Sequence, residues 1–175
     1  MQRRFMLWIN LLGGAAVLAS YVVGLRTHPG SSAGLWGHVP QAILPLYGAS
    51  MLLAAAGYFA YTTFLLFRVN PDEARIACRF RFGLFNVLYA LILVPSALWM
   101  PLTLRMLEQP SAGLWLGICL VLAAVALGSL GLLGALLSLR PQQPRWAYWL
   151  AVAGSVTFSI QTVLLDAVVW TAFFT

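Results

Sequence analysis

Five long apolar runs separated by short polar stretches organise the chain: Phe5–Leu25, Ala42–Phe67, Phe82–Leu104, Gly113–Leu139 and Trp146–Phe174. Each is of the length, roughly 20 residues, that a helix needs to cross about 30 Å of hydrocarbon. Ala42–Phe67 is long enough to cross at a tilt. The runs are continuous, unlike the alternating segments of about ten residues that build a membrane barrel. The pattern therefore predicts an all-α, polytopic membrane protein, a five-helix bundle forming a single domain over residues 1–175. One loop carries a further signal. Asn70-Pro71-Asp72-Glu73 has Asn at an N-cap, Pro at N1 and Glu at N3. It predicts a helix that starts at Pro71 and runs into the third span, with Arg75, Arg79 and Arg81 at headgroup level, where they anchor the topology and face anionic lipid.

Composition agrees with the pattern. Of 175 residues, 62% are hydrophobic and 8% charged, and the mean hydropathy is +0.89. A soluble domain carries about 25% charged and about 45–50% apolar residues. A water-soluble enzyme, a nucleic-acid module and a disordered chain are thereby excluded. The net charge of +6 does not mark a nucleic-acid surface, because all ten basic residues are Arg and they lie between the apolar runs. Arg3, Arg4, Arg68, Arg75, Arg79, Arg81, Arg140 and Arg145 fall on one side of the membrane, Arg26 and Arg105 on the other. This asymmetry predicts a cytoplasmic N-terminus and an outer C-terminus. A Lys-free chain rich in Ala, Leu and Gly fits a bacterial inner (plasma) membrane protein. Met1–Ala19 also fits a signal peptide, but its apolar run continues through Tyr21-Val22-Val23 to Leu25, longer than a typical h-region.

Small residues mark expected helix contacts. Gly117, Val121, Ala124, Gly128, Gly131 and Ala135 recur at +4 or +3 along one face of span four, and Gly13, Ala16, Ser20 and Gly24 do the same in span one. Such seams serve packing within the chain or an oligomer, with Gly117, Gly128 and Gly131 as contacts to a second copy or another subunit. Cys78, in a cytoplasmic loop, and Cys119, in span four, are too far apart for a disulfide.

Asp166 is the one acidic residue inside an apolar span, and an ionisable group at membrane depth is a functional candidate by default. Ser155, Ser159, Thr162 and Asp166 follow at +4, +3 and +4, one face of span five that should point into the bundle. Arg26 and Arg105 are the cations on that side, so either is a candidate ion-pair partner. Pro95, Trp99 and Pro101 in span three and Pro40, Pro45 and Tyr47 at the start of span two fall at the same end. Prolines within a helix free carbonyls and bend it, which opens space between spans. Trp36, Trp99, Trp115 and Trp170 line that end, as walls of a pocket or as an interfacial belt. Asn86 and Gln161 are expected to hydrogen-bond across helices; Tyr58 and Tyr61 lie in the cytoplasmic half. His28 and His38 have no Cys or acidic neighbours in sequence and lie outside the spans, so neither haem nor zinc is expected. No HExxH, CxxC, Gly-rich phosphate loop or intramembrane catalytic pair is present, so no catalytic residue and no cofactor is assigned.

Five spans in under 180 residues, rich in Trp and with the longest loop between spans one and two, resemble in architecture the tryptophan-rich sensory protein (translocator protein) family. Its members bind porphyrins and sterol-like ligands under that loop. The family's Trp-Tyr, Lys-Pro and Trp-x-Pro-Pro stretch entering span two is missing. The segment here reads Gly34-Leu35-Trp36-Gly37-His38-Val39-Pro40-Gln41, with one Trp and no Lys, so no residue carries over. The residues themselves lead to one expectation: a non-enzymatic protein holding a hydrophobic small molecule or lipid in an outward-opening cavity between spans two, three and five. Asp166, Thr162, Ser159, Trp99, Trp36 and Tyr47 are the ligand-binding candidates. An accessory subunit of a larger membrane complex and an ion-coupled transporter using Asp166 are the alternatives.

Overall fold

A computed structural model describes residues 1–31 and 33–174 of the chain. It is helical, with five helices long and apolar enough to cross a membrane. They are α1 (Gln2–Thr27), α2 (Leu44–Phe67, entered through a 3-10 turn at Gln41–Ile43), α3 (Gly83–Glu108), α4 (Ala112–Leu137) and α5 (Arg145–Ser159). The fifth does not stop at Ser159. It widens into a π-helix over Ile160–Trp170 and closes with an α turn at Thr171–Phe174. Spans three and four begin or end within a few residues of the apolar runs, because the loop residues that interrupt hydropathy also break the helices. The Ser111 hydroxyl, for example, caps α4 by accepting from the Leu114 amide at 3.2 Å.

The helix start at Asn70 is realised as a single turn and no more. Asn70 Oδ1 accepts from the Asp72 amide at 3.2 Å, and the Ala74 amide donates to the Asn70 carbonyl at 3.0 Å. The chain then extends. Arg75–Ile76 forms strand β1, antiparallel to β2 (Leu139–Arg140), with Ile76 opposite Leu139 and both buried. The two loops at this Arg-rich end thus cover the core together, and Ala77 and Cys78 adopt positive φ to reverse the chain. Local capping chemistry is outweighed by burial of Ala74, Ile76 and Leu139. Arg75, Arg79 and Arg81 remain exposed.

Packing runs α1 on α3, α3 on α4, α4 on α5 and its π segment, and α5 on α2. Glycines set the close approaches. The tightest joins α2 to α5, where a Cβ on Gly154 would meet the Gly57 carbonyl oxygen at 2.7 Å and Gly57 Cα at 2.8 Å, and a Cβ on Gly57 would collide with the Gly154 carbonyl. Gly128 and Gly131 of the α4 seam are filled by Ile92 and Leu88 of α3, while nothing lies within 4 Å of the Cβ position of Gly117. Gly13 and Gly24 of α1 take Leu93, Leu104 and Met100 of α3 in the same manner. The seam residues Gly128 and Gly131 are therefore used within the chain. Between helices whose backbones stay apart, tyrosines bridge. Tyr58 donates to Asn10 Oδ1 at 2.5 Å, Thr62 and Tyr89 share a hydrogen bond of 2.7 Å, and the rings of Tyr58, Tyr61, Tyr89 and Phe158 cluster at 5.4–6.0 Å.

Candidate functional site

At the end opposite the arginines, the loop after α1 folds onto the tip of the fifth helix. The His38 amide donates to the Phe173 carbonyl at 2.7 Å, and Trp170 Nε1 donates to the Leu35 carbonyl at 2.9 Å. Gly37 sits at φ 55°, and a Cβ there would meet Phe174 Cα at 2.7 Å. Both the backbone conformation and the space require glycine. This docking orders a cluster of rings. Trp36 meets Tyr47 edge-on at 5.4 Å, and Tyr21 stacks on Trp99 at 5.8 Å. Trp99 meets Trp170 at 5.5 Å, and Phe174 stacks on Trp170 at 4.3 Å and on Trp115 at 5.8 Å. Trp36, Trp99, Trp115 and Trp170 are thus parts of one packed cluster, whereas Trp146 and Trp149 at the other end are exposed.

Asp166 lies on the π segment beside this cluster. Gln161 Nε2 donates to Asp166 Oδ1 at 2.7 Å. The spacing is i to i+5. In an α-helix those positions are about 140° apart around the axis, but a π-helix bonds i to i+5 and brings them into register. The wide turn thereby makes the pair. Thr162 and Asp166, four residues apart, stay within about 40° of each other on either winding, but Asp166 is only partly buried and its hydrogen bond goes to Gln161. Ser155, Ser159 and Thr162 do face inward and are buried; Thr162 donates to Ser129 Oγ of α4 at 2.8 Å. Gln161, expected to reach another helix, instead bonds within its own, while Asn86 does cross, donating to Gln2 Oε1 at 2.6 Å.

Neither Arg26 nor Arg105 pairs with Asp166; among the described residues its one hydrogen-bond partner is Gln161. Tyr47 donates to the carbonyl of Leu165, the residue before Asp166, at 2.6 Å, and Tyr21 and Trp99 stack at the same end of the bundle. Aromatic side chains from α1, α2 and α3 thus pack at the same end of the bundle as this one partly buried acid. Buried polar atoms of Gln161 (Oε1), Ser155, Ser159 and Trp99 (Nε1) have no hydrogen-bond partner among the described residues. Each such atom costs about 1–3 kcal/mol when left unpaired.

The chain matches no protein-family model, no curated protein and no solved structure. Its chemistry is read from this arrangement alone.

A groove of about 330 Å³ opens at the same end, but between α1 and α3. Ser20, Gly24 and Pro101 line its walls, and Arg105, His28 and Glu108 its mouth. None of the six residues expected to bind a ligand lines it. His28 Nε2 and Glu108 Oε1 tie the two helices there at 2.8 Å. Between α2, α3 and the π segment, packed rings stand where open space was expected. Among the described residues no three His, Cys, Asp or Glu side chains come together as metal ligands. The signals that reasoning on the sequence missed were Asn10, Tyr21, Ser129 and the Gly57/Gly154 pair. Asn10 and Ser129 were legible as polar residues within apolar runs; the glycine pair was not, because which glycine of one span meets which of another is set only by how the helices cross.

Proposed function

We propose that the chain is a non-enzymatic integral membrane protein of the bacterial inner membrane. In this reading it is a single transmembrane domain with its N-terminus in the cytoplasm, and it holds a hydrophobic small molecule or lipid at its outer end. The distribution of arginines supports the orientation. A reporter fused after Thr175 tests it: alkaline phosphatase there is expected to be active and a green fluorescent protein dark, and the reverse pattern overturns the topology.

The single observation that carries the binding role is the Gln161–Asp166 pair, held among aromatic side chains of several helices with no basic partner. A carboxyl placed at membrane depth without a counter-charge is expensive, and the unpartnered Gln161 Oε1 and Trp99 Nε1 add to the cost. A ligand that satisfies these atoms offsets it. Asp166 and Gln161 would anchor the polar part of that ligand. Trp99, Trp36 and Tyr47 would shift to wall its apolar part, with Ser159 and Thr162 beneath. Native mass spectrometry of protein gently extracted from its own membrane tests this. We expect a defined small-molecule adduct on the wild type that is lost from Asp166→Asn.

A second reading, an accessory subunit of a larger complex, is favoured by α1. That helix packs on α3 and leaves Phe5, Trp8, Leu11, Leu12, Leu18 and Val22 exposed along its length. A stoichiometric protein partner without a small-molecule adduct in the same spectra decides for it.

A further inference from the structure

The atoms left open around Asp166 have a common character. Asp166 Oδ2 and Gln161 Oε1 are both acceptors without a donor among the described residues, and the amide's only donated bond already goes to Asp166 Oδ1. Tyr47, whose hydroxyl is a donor near the acid, spends that donor on the Leu165 carbonyl. The protein thus presents a carboxyl oxygen and an amide oxygen with nothing positive to meet them. The side chains packed at the same end of the bundle are aromatic: Tyr21 stacked on Trp99, Trp36 against Tyr47, and Trp170 against Trp99. Ring faces carry negative potential and attract cations, most strongly where water is excluded. An anionic or neutral acceptor-rich ligand would meet like charge here. A group with positive charge meets complementary charge from the carboxyl, the amide oxygen and the rings at once.

We propose that the ligand class of this site is a hydrophobic organic cation, an ammonium or related onium group on an apolar body, with its charge at Asp166 and its body between Tyr21, Trp99, Tyr47 and Trp36, rings that are packed together in this structure and part to admit it. This rests on the binding role proposed above and narrows it. The positive group occurs both on aminolipid headgroups and on free lipophilic cations, and both have the chemistry the site asks for.

The test uses the full chain in a neutral maltoside detergent and two probes of nearly the same shape and opposite charge, tetraphenylphosphonium and tetraphenylborate, followed by equilibrium dialysis. Saturable binding of tetraphenylphosphonium at one per chain is expected, with tetraphenylborate failing to compete. Asp166→Asn should weaken it about tenfold or more, and Asp166→Glu, which keeps the charge, should retain it. Should the Asn variant not fold, the discrimination between the two ions by the wild type still decides. Equal competition by tetraphenylborate, or unchanged affinity in a folded Asp166→Asn, overturns the cation class while leaving a hydrophobic site in place. Absence of binding by either ion, together with no adduct lost from Asp166→Asn in native mass spectra, overturns both the class and the binding role. The source is read from the same spectra. An aminolipid retained on the purified protein and displaced by tetraphenylphosphonium identifies a lipid headgroup; saturable phosphonium binding with no lipid retained after the same mild extraction identifies a free cation.

Discussion

Gly154→Val is expected to destabilise the purified protein by about 3 kcal/mol, at the upper end of the usual cost of overpacking. The atoms that a new side chain would meet, the Gly57 carbonyl oxygen at 2.7 Å and Gly57 Cα at 2.8 Å, belong to backbone and have no rotamer through which to withdraw. The two helices would have to separate, losing the dispersion contacts along the α2–α5 interface. In a membrane those contacts matter more than apolar burial, since lipid tails solvate leucine as well as a neighbouring helix does. Gly57→Val should behave alike, because its Cβ would collide with the Gly154 carbonyl and approach Thr157 Oγ1 at 2.7 Å. Gly117→Val is the matched control, with nothing within 4 Å of its Cβ position. Thermal unfolding in detergent, followed by size-exclusion chromatography, should show a drop on the order of 10 °C for the first two and little change for the third. Equal stability of all three variants would refute the close crossing.

Trp170→Ala is the second large effect, also about 3 kcal/mol. Trp170 is 3% exposed and touches Trp99, Trp115 and Phe174, and its indole N–H is bonded to the Leu35 carbonyl. Buried tryptophan truncations cost about 3–5 kcal/mol in soluble cores. The lower figure applies here, because lipid reduces the transfer contribution and leaves the cavity and the lost hydrogen bond as the main costs. Loss of that bond also frees the loop that holds His38 on Phe173. Trp149→Ala, at a position 60% exposed, should stay within about 0.5 kcal/mol of the wild type. Trp170→Phe should fall between, losing about 1 kcal/mol for the hydrogen bond. The comparison separates a packed core from an interfacial belt. If Trp170→Ala and Trp149→Ala melt together, the aromatic end is a belt and the cluster has no structural role.

The two variants bear on different parts of the proposed site. Gly57 and Gly154 hold the fifth helix against α2, whereas Trp170 stands four residues beyond Asp166 and fixes the tip of the same helix against the first loop. A ligand that stabilises the chain should raise the unfolding temperature of Gly154→Val, whose site side chains are all present.

Much of the architecture was legible from residue order. Hydropathy marked the five helices to within a few residues because a helix in lipid must satisfy its backbone internally and show apolar side chains all round. Asp166 stood out for the complementary reason, as the one carboxyl in an apolar run. Partners were another matter. The +4, +3, +4 spacing puts Asp166 near the face of Thr162, yet its carboxyl bonds to Gln161, five residues back, which the π winding brings close. Asn70-Pro71-Asp72-Glu73 was read as the opening of a long helix, whereas Ala74 and Ile76 are drawn into the core after one turn and pair beside β2. In both places local propensity pointed one way and packing with distant segments decided.

By itself, then, the order of residues determined the number and length of the helices, the asymmetry of charge between the two ends, and the identity of the one acid within the apolar runs. These are one-dimensional quantities, set by transfer of each segment between water and hydrocarbon. Only the tertiary structure decided which helices touch, that the small residues at Gly128 and Gly131 are spent on α3, and that Asp166 bonds to Gln161 instead of an arginine. Those outcomes depend on helix winding and on side-chain shape across interfaces. Apolar runs of nearly uniform hydropathy do not encode them, because lipid favours every apolar face equally and close packing chooses among the faces.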